Sequence, residues 1–249
     1  MNKFKERHIK LIEGAGGIVE DKLFVMKAGV MITKQSRLTN ESKELLNLMN
    51  IDTDEDEASQ HAEFNSRLTY LSFNDEKKSS REYNDAMINE YGHLSVYNDE
   101  YITFLISGVS VETELEFIAH NEATVARLTS SKTNAQNEPL FRIMKEEDTY
   151  LQKQLINEQI ALKDSYKDNF KNQEIFNMNT FGTKVVSFTI TMSLKDWHKT
   201  MIGRISHHGV ELEMIEVMEE VAKKLKEQYP YLIKDIEEYY EMGNAKKYS

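Results

Sequence analysis

The chain has 249 residues, 40% hydrophobic and 29% charged, with no cysteine and a formal net charge of −11. Those values suit one globular domain, or a domain with an appendage, and they exclude disulfides, thiolate zinc sites and cysteine nucleophiles. The acidic balance disfavours duplex nucleic acid, which needs a basic field, whereas a single nucleotide needs only a few local cations.

The first ten residues, "MNKFKERHIK", are charged and have no apolar segment behind them. No apolar run approaches the roughly 20 residues that span a bilayer, so a soluble, cytoplasmic protein without a targeting signal or membrane contact is expected. "EGAGG" fails the dinucleotide fingerprint, because Val19 stands where its third glycine belongs. Two apolar runs around "KAG" in "DKLFVMKAGVMITK" (21–34) predict a hairpin. "TNESKELLNLMN" (39–50) predicts a short helix capped by Asn40. Asp52, Asp54, Asp56 and Glu63 have the spacing of calcium-loop ligands, but Glu57 occupies the position whose sharp turn requires glycine. The reading preferred is therefore an acidic loop that favours the start of the next helix.

From residue 80 the pattern sharpens. "SSREYNDAMINEYG" predicts a helix ending near Gly92, and "YITFLISGV" (101–109) predicts a strand with Ile102, Phe104 and Ile106 on one face. "ETELEFIAHNEATVAR" repeats Leu115, Ile118, Ala119 and Ala126 at helical spacing, with Glu116, His120, Thr124 and Arg127 opposite. After Pro139 a long polar helix is expected, then a strand over 183–192 and a helix around "LKDWHKTMIGR". "HHGVELEMIEVMEEVAKKLKEQY" is a long amphipathic helix stopped by Pro230, with Met214, Val217, Val221 and Leu225 on one face, ready to pack within the subunit or on a partner. Helices and strands do not alternate regularly, so the class is α+β. His198, His207 and His208 lack compact metal-ligand spacing, so no metal site is expected.

Three stretches in order resemble segments of the flavin-dependent thymidylate synthases, the ThyX or thymidylate synthase complementing protein family. "SRLTYLSF" (66–73) is similar to the ARVSF-type segment, and "GHLSVYNDEYITFLISGVS" (92–110) to the H-x-[ST]-x-[FY]-E-H segment with its strand. "SLKDWHKTMIGRISHHGVELEMIEV" (193–217) is similar to the L-x-x-W-x-x-F-x-x-R and HAQ-x-E-I region. The resemblance covers residues 66–232 and implies a ThyX-like α+β fold: an antiparallel sheet with packed helices, including the long C-terminal amphipathic helix. It divides the chain into an N-terminal extension, 1–62, and a synthase-like domain, 63–249.

The resemblance further implies a homotetramer binding FAD at subunit interfaces. NADPH reduces the flavin, which relays a methylene group from methylenetetrahydrofolate to C5 of dUMP without an enzyme cysteine. By the same resemblance Thr69, Ser95, Asn98, His120, Asn121 and Lys199 fall at flavin-binding positions, and Glu116, Arg127, Thr129 and Arg204 at substrate-binding ones. The family's R-H-R, seven residues, serine signature reads here as Ala119, His120, Asn121, seven residues, Thr129. Two bidentate phosphate-binding forks are replaced by a methyl group and a neutral amide. His207 and Glu211 keep the HAQ-x-E spacing without its glutamine.

Three functions stay open. One is a divergent flavin-dependent synthase in which Arg127, Lys132, Lys184 or Arg204 takes over phosphate binding. The second is a non-catalytic homologue acting as a binding or assembly module, and the third a flavoenzyme acting on another pyrimidine nucleotide.

Overall fold

The computed structural model describes residues 3–51, 56–73, 79–119, 123–128, 140–144, 147–166, 184–205, 209–230 and 232–245. In chain order they form α1 (Lys3–Gly14), β1 (Ile18–Glu20), β2 (Phe24–Lys27), β3 (Gly29–Gln35), α2 (Asn40–Leu48), α3 (Glu57–Tyr70) and α4 (Ser80–Asp85). A π-helical turn (Ala86–Glu90) and a 3-10 turn (Leu94–Tyr97) follow, then β4 (Tyr101–Ser110), α5 (Val111–Ala119), β5 (Thr124–Arg127) and β6 (Phe141–Arg142). The last elements are α6 (Thr149–Tyr166), β7 (Val185–Ser193), α7 (Leu194–Ile205), α8 (Leu212–Gln228) and α9 (Ile236–Ala245). Two compact units result: Met1–Met31 with Phe104–Ile190 and Glu211–Val217, and Ile32–Thr103 with Thr191–Val210 and Met218–Ser249. One sheet has the order β1-β2-β6 and another the order β3-β4-β7-β5.

In the first unit, β1 and β2 form an antiparallel hairpin and β6 joins β2 in parallel. The hairpin expected between residues 21 and 34 is thus displaced toward the N-terminus. Asp21 and Lys22 take positive φ (50° and 53°), and the Leu23 amide donates to the Glu20 carbonyl at 2.9 Å. The three-residue loop Asp21–Leu23 between the paired Glu20 and Phe24 thus opens on two left-handed residues. The "KAG" stretch instead ends β2, and β3 departs to the other sheet. The glycines of "EGAGG" and "KAG" serve close packing: a Cβ on Gly17 would sit 2.8 Å from the Gly29 nitrogen, and one on Gly29 2.5 Å from the Ile12 carbonyl oxygen. They let α1 lie against the hairpin, where Ile9 and Ile12 join Val25, Leu140 and Val185 in a buried cluster. Phe24, Phe141, Ile143 and Ile156 form a second one.

α5 is shorter than its sequence suggested, and its buried stripe is rotated. Among the described residues the helix is Val111–Ala119, and Thr124–Arg127 is strand β5 beside β7, where the Leu128 amide donates to the Ser187 carbonyl at 2.9 Å. Thr113, Glu114 and Phe117 are buried, while Leu115 and Ile118 are exposed. Phe117 wins the inward position by meeting Phe188 edge-on, ring centroids 5.6 Å apart.

In the second unit, α2 is capped one residue earlier than expected: the Ser42 amide donates to Thr39 Oγ1 at 3.1 Å. Asp56 caps α3 by accepting the Ser59 amide at 2.9 Å, the role that the acidic loop foreshadowed. Trp197 anchors α7, fully buried, with Nε1 donating to the Ile102 carbonyl at 3.2 Å. Of the stripe predicted on α8, Val221 and Leu225 are buried in this unit, and Met214 and Val217 are buried in the first. No described helix is long and apolar enough to cross a membrane.

Candidate functional site

Three of the segments that carried the resemblance meet in the second unit. The 3-10 turn packs against both α3 and α7. Tyr97, the last residue of the turn, is buried at 2% exposure, and just past it Asp99 Oδ2 accepts from Asn65 Nδ2 of α3 at 3.0 Å. β4 and α7 are tied where the Leu194 amide donates to the Glu100 carbonyl at 2.6 Å. The half-buried His61 stands 3.5 Å from the Glu100 carboxylate, whose hydrogen bond raises its pKa above the ordinary histidine value despite burial.

α3 is fixed by a buried ion pair absent from the sequence reading. Arg67 Nε donates to Glu63 Oε1 at 2.6 Å, and Arg67 Nη1 to the Ser72 carbonyl at 2.7 Å. The guanidinium lies over the Tyr83 ring at 4.2 Å, and Ser80 donates a short hydrogen bond to the other oxygen of Glu63. Glu63, the last residue of the calcium-like spacing, is therefore engaged by an arginine and a serine. Leu71 then ends α3 in the left-handed region at φ 53°.

On this scaffold Thr69, Ser95, Asn98 and Lys199 are all exposed, Thr69 sending its hydroxyl to the Asn65 carbonyl at 3.1 Å. Arg204 is half-buried in the last turn of α7. Together Thr69, Ser95, Asn98 and Lys199 carry two hydroxyls, an amide and an ammonium, groups able to donate hydrogen bonds to a polar ligand.

Glu116 and Arg127 belong to the first unit and have acidic company. Arg127 Nη1 lies 3.8 Å from Glu114 Oε2, and burial raises the Glu114 pKa against the opposing pull of Arg127. Glu211 is also shifted upward, by desolvation and then by the like charges of Glu112, Glu116 and Glu213. A phosphate placed among these carboxylates would meet repulsion. Lys184, a candidate substitute cation, is buried at the Phe141 bridge. His120, Asn121, Thr129, Lys132 and His207 lie outside the described residues.

Arg142, which the sequence reading passed over, organises this part of the unit. Its Nε donates to Glu213 Oε1 at 2.8 Å and its Nη2 to Glu216 Oε2 at 2.7 Å, while Nη1 reaches the Val25 and Met26 carbonyls. Glu213 also accepts from the Ser110 amide at 3.0 Å and from Thr113 Oγ1 at 2.7 Å, which holds the start of α5. An arginine inside the apolar run "PLFRIM" was the available signal, since a charge in a buried strand needs a partner. Arg142, held by two carboxylates, is not placed as a ready phosphate ligand.

No protein-family model matches the sequence, and no curated protein matches it. Among solved structures, the fold is similar to thymidylate synthase X (ThyX) from Helicobacter pylori, a crystal structure with FAD and dUMP. The TM-score is 0.59 at 16% identity, covering 83% of this chain and 98% of that one. The fold is α+β and ThyX-like.

Proposed function

We propose that this chain is a divergent flavin-dependent thymidylate synthase-like protein that binds FAD and a pyrimidine nucleotide, dUMP or a close relative. The observation that supports the reading is the packing of the 3-10 turn against α3 and α7, the elements on or beside which Thr69, Ser95, Asn98 and Lys199 stand. The ThyX neighbour's own FAD and dUMP support it. These four residues, with His120 and Asn121, would hold the flavin. Arg204 would take the nucleotide phosphate, with Glu116, Arg127 and Thr129 on the base and sugar side. FAD, reduced by NADPH, would supply the relay of a one-carbon unit from methylenetetrahydrofolate to C5 of the nucleotide. The protein's part is to orient the ring, supply charge and exclude water. A homotetramer is part of the same proposal.

A specific observation favours a second reading, a ThyX-fold module that binds without turnover. Glu211 feels the like charges of Glu112, Glu116 and Glu213, and Glu114 is buried with a raised pKa, an acidic setting near α5 that weakens the case for a bound phosphate. Tritium release from C5-labelled dUMP, with FAD, NADPH and methylenetetrahydrofolate supplied, separates the two. Release above a no-enzyme blank supports the synthase; flavin binding without release supports the module.

A further inference from the structure

α1 presents charge that the rest of the first unit leaves unopposed. Lys3, Arg7 and Lys10 are exposed, and their spacing of four and then three residues sets them in one row along about 10 Å of the helix. None of the three is ion-paired or hydrogen-bonded among the described residues. Leu11 borders the row at 41% exposure, while His8, Ile9 and Ile12 turn inward to the core. A chain of net charge −11 needs no such row for solubility.

The opposite charge stands in the same unit, on α5 and at the start of α8. Glu112 and Glu211 are both exposed. Glu211 is shifted upward by desolvation and then by the like charges of Glu112, Glu116 and Glu213, with no cation among the causes. A carboxylate set among like charges is relieved by a cation brought to it. No cluster among the described residues could hold a metal ion, so the relief is not of that kind. The outward side of α5 beside Glu112 is apolar: Leu115, three residues on, is 45% exposed, and Ile118, three further, 39%.

The two helix faces are therefore complementary. α5 shows an acidic edge with an apolar one next to it, and α1 a basic edge with Leu11 next to it. They do not meet within one chain, because none of Lys3, Arg7 and Lys10 enters the charges acting on Glu211. An anionic membrane or polymer would match the cations of α1 but leave the carboxylates, Leu115 and Ile118 uncovered. A second copy of the chain covers both faces at once, opposite charges steering the encounter and apolar side chains closing it.

We propose that α1 of one copy docks on α5 of a second, with Lys3, Arg7 and Lys10 against Glu112 and Glu211, and Leu11 against Leu115 and Ile118. The contact does not depend on the flavin reading, since α1 lies outside the segments that resemble the synthases and no ligand enters the test. Sedimentation velocity of the full chain, over the micromolar to hundred-micromolar range at about 0.1 M salt, compares the wild type with two charge-reversed variants. One carries Lys3→Glu, Arg7→Glu and Lys10→Glu, the other Glu112→Lys and Glu211→Lys; all five positions are exposed, and far-ultraviolet spectra check the fold. The wild type is expected to associate, and each variant to associate at least about tenfold more weakly. An equimolar mixture of the two variants should recover the wild-type association, because each reversed face then meets its opposite. A monomeric wild type, variants that associate as the wild type does, or a mixture as weak as its components would each overturn the pairing. A monomeric wild type that binds anionic phospholipid vesicles through the same row would overturn it in favour of a membrane surface.

Discussion

Replacing Arg142 by methionine tests how the first unit is held together. The substitution keeps most of the volume and removes the guanidinium from Glu213, whose side chain is 1% exposed. The carboxylate would keep its bonds from Ser110 and Thr113 but lose its countercharge, and the Val25 and Met26 carbonyls would lose a donor. Stranding one partner of a buried pair costs about 3–5 kcal/mol. Glu213→Gln keeps an acceptor for Ser110 and Thr113, and Arg142 retains Glu216, so that change should cost about 2 kcal/mol. Once Glu213 is neutral, losing Arg142 no longer strands a charge. The double variant should therefore be more stable than the sum of the singles predicts by about 2 kcal/mol or more. Urea unfolding with a check on unchanged m-values supplies the four free energies. Additivity within about 0.5 kcal/mol would refute the coupling.

Other outcomes follow from the same physical reasoning. His8 is buried against Ser187 Oγ at 2.7 Å, with a pKa lowered to about 4 by desolvation, so it stays neutral in the folded chain. Its contribution is intact above the ordinary value of 6.5 and is lost as pH falls toward 4. By about pH 5 the loss is roughly 2 kcal/mol. In His8→Gln, thermal melts between neutral and mildly acidic pH should show about one proton less taken up on unfolding; a slope equal to wild type would count against burial of a neutral ring. Gly29→Ala should destabilise by about 1–3 kcal/mol, because its Cβ would stand 2.5 Å from the Ile12 carbonyl oxygen and 2.7 Å from Ala15 Cβ. Chemical denaturation measures it, and a neutral result would mean that α1 does not lie against the hairpin as described. Arg204→Ala should weaken dUMP binding by about 1–3 kcal/mol in calorimetry, while equal affinity would remove Arg204 from the nucleotide site.

Periodicity made the long elements legible. β4, β7, α7 and α8 could all be read because each keeps one apolar rhythm over many residues. α1 was not, since charged residues interrupt Ile9 and Ile12 and its burial comes from distant Val25 and Val185. β5 was read as helix because Thr124–Arg127 follows a helical repeat, and only pairing beside β7 decides for strand. At the candidate site, motif order located the segments that meet around the 3-10 turn. Sequence could not foresee that Arg67 is consumed by Glu63 or Arg142 by Glu213, since those pairings depend on which faces fold inward. The acidic surroundings of α5 likewise arise from residues about a hundred positions apart in the chain, Glu112 and Glu116 with Glu211 and Glu213.

The central claim, a flavin-binding ThyX-like protein, is tested most directly by titrating the purified chain with FAD and following flavin fluorescence and visible absorbance. The account predicts saturable quenching at micromolar FAD and a weaker response in Lys199→Glu, which reverses a charge on the exposed face of α7. A colourless chain that leaves FAD fluorescence unchanged throughout the micromolar range would contradict it.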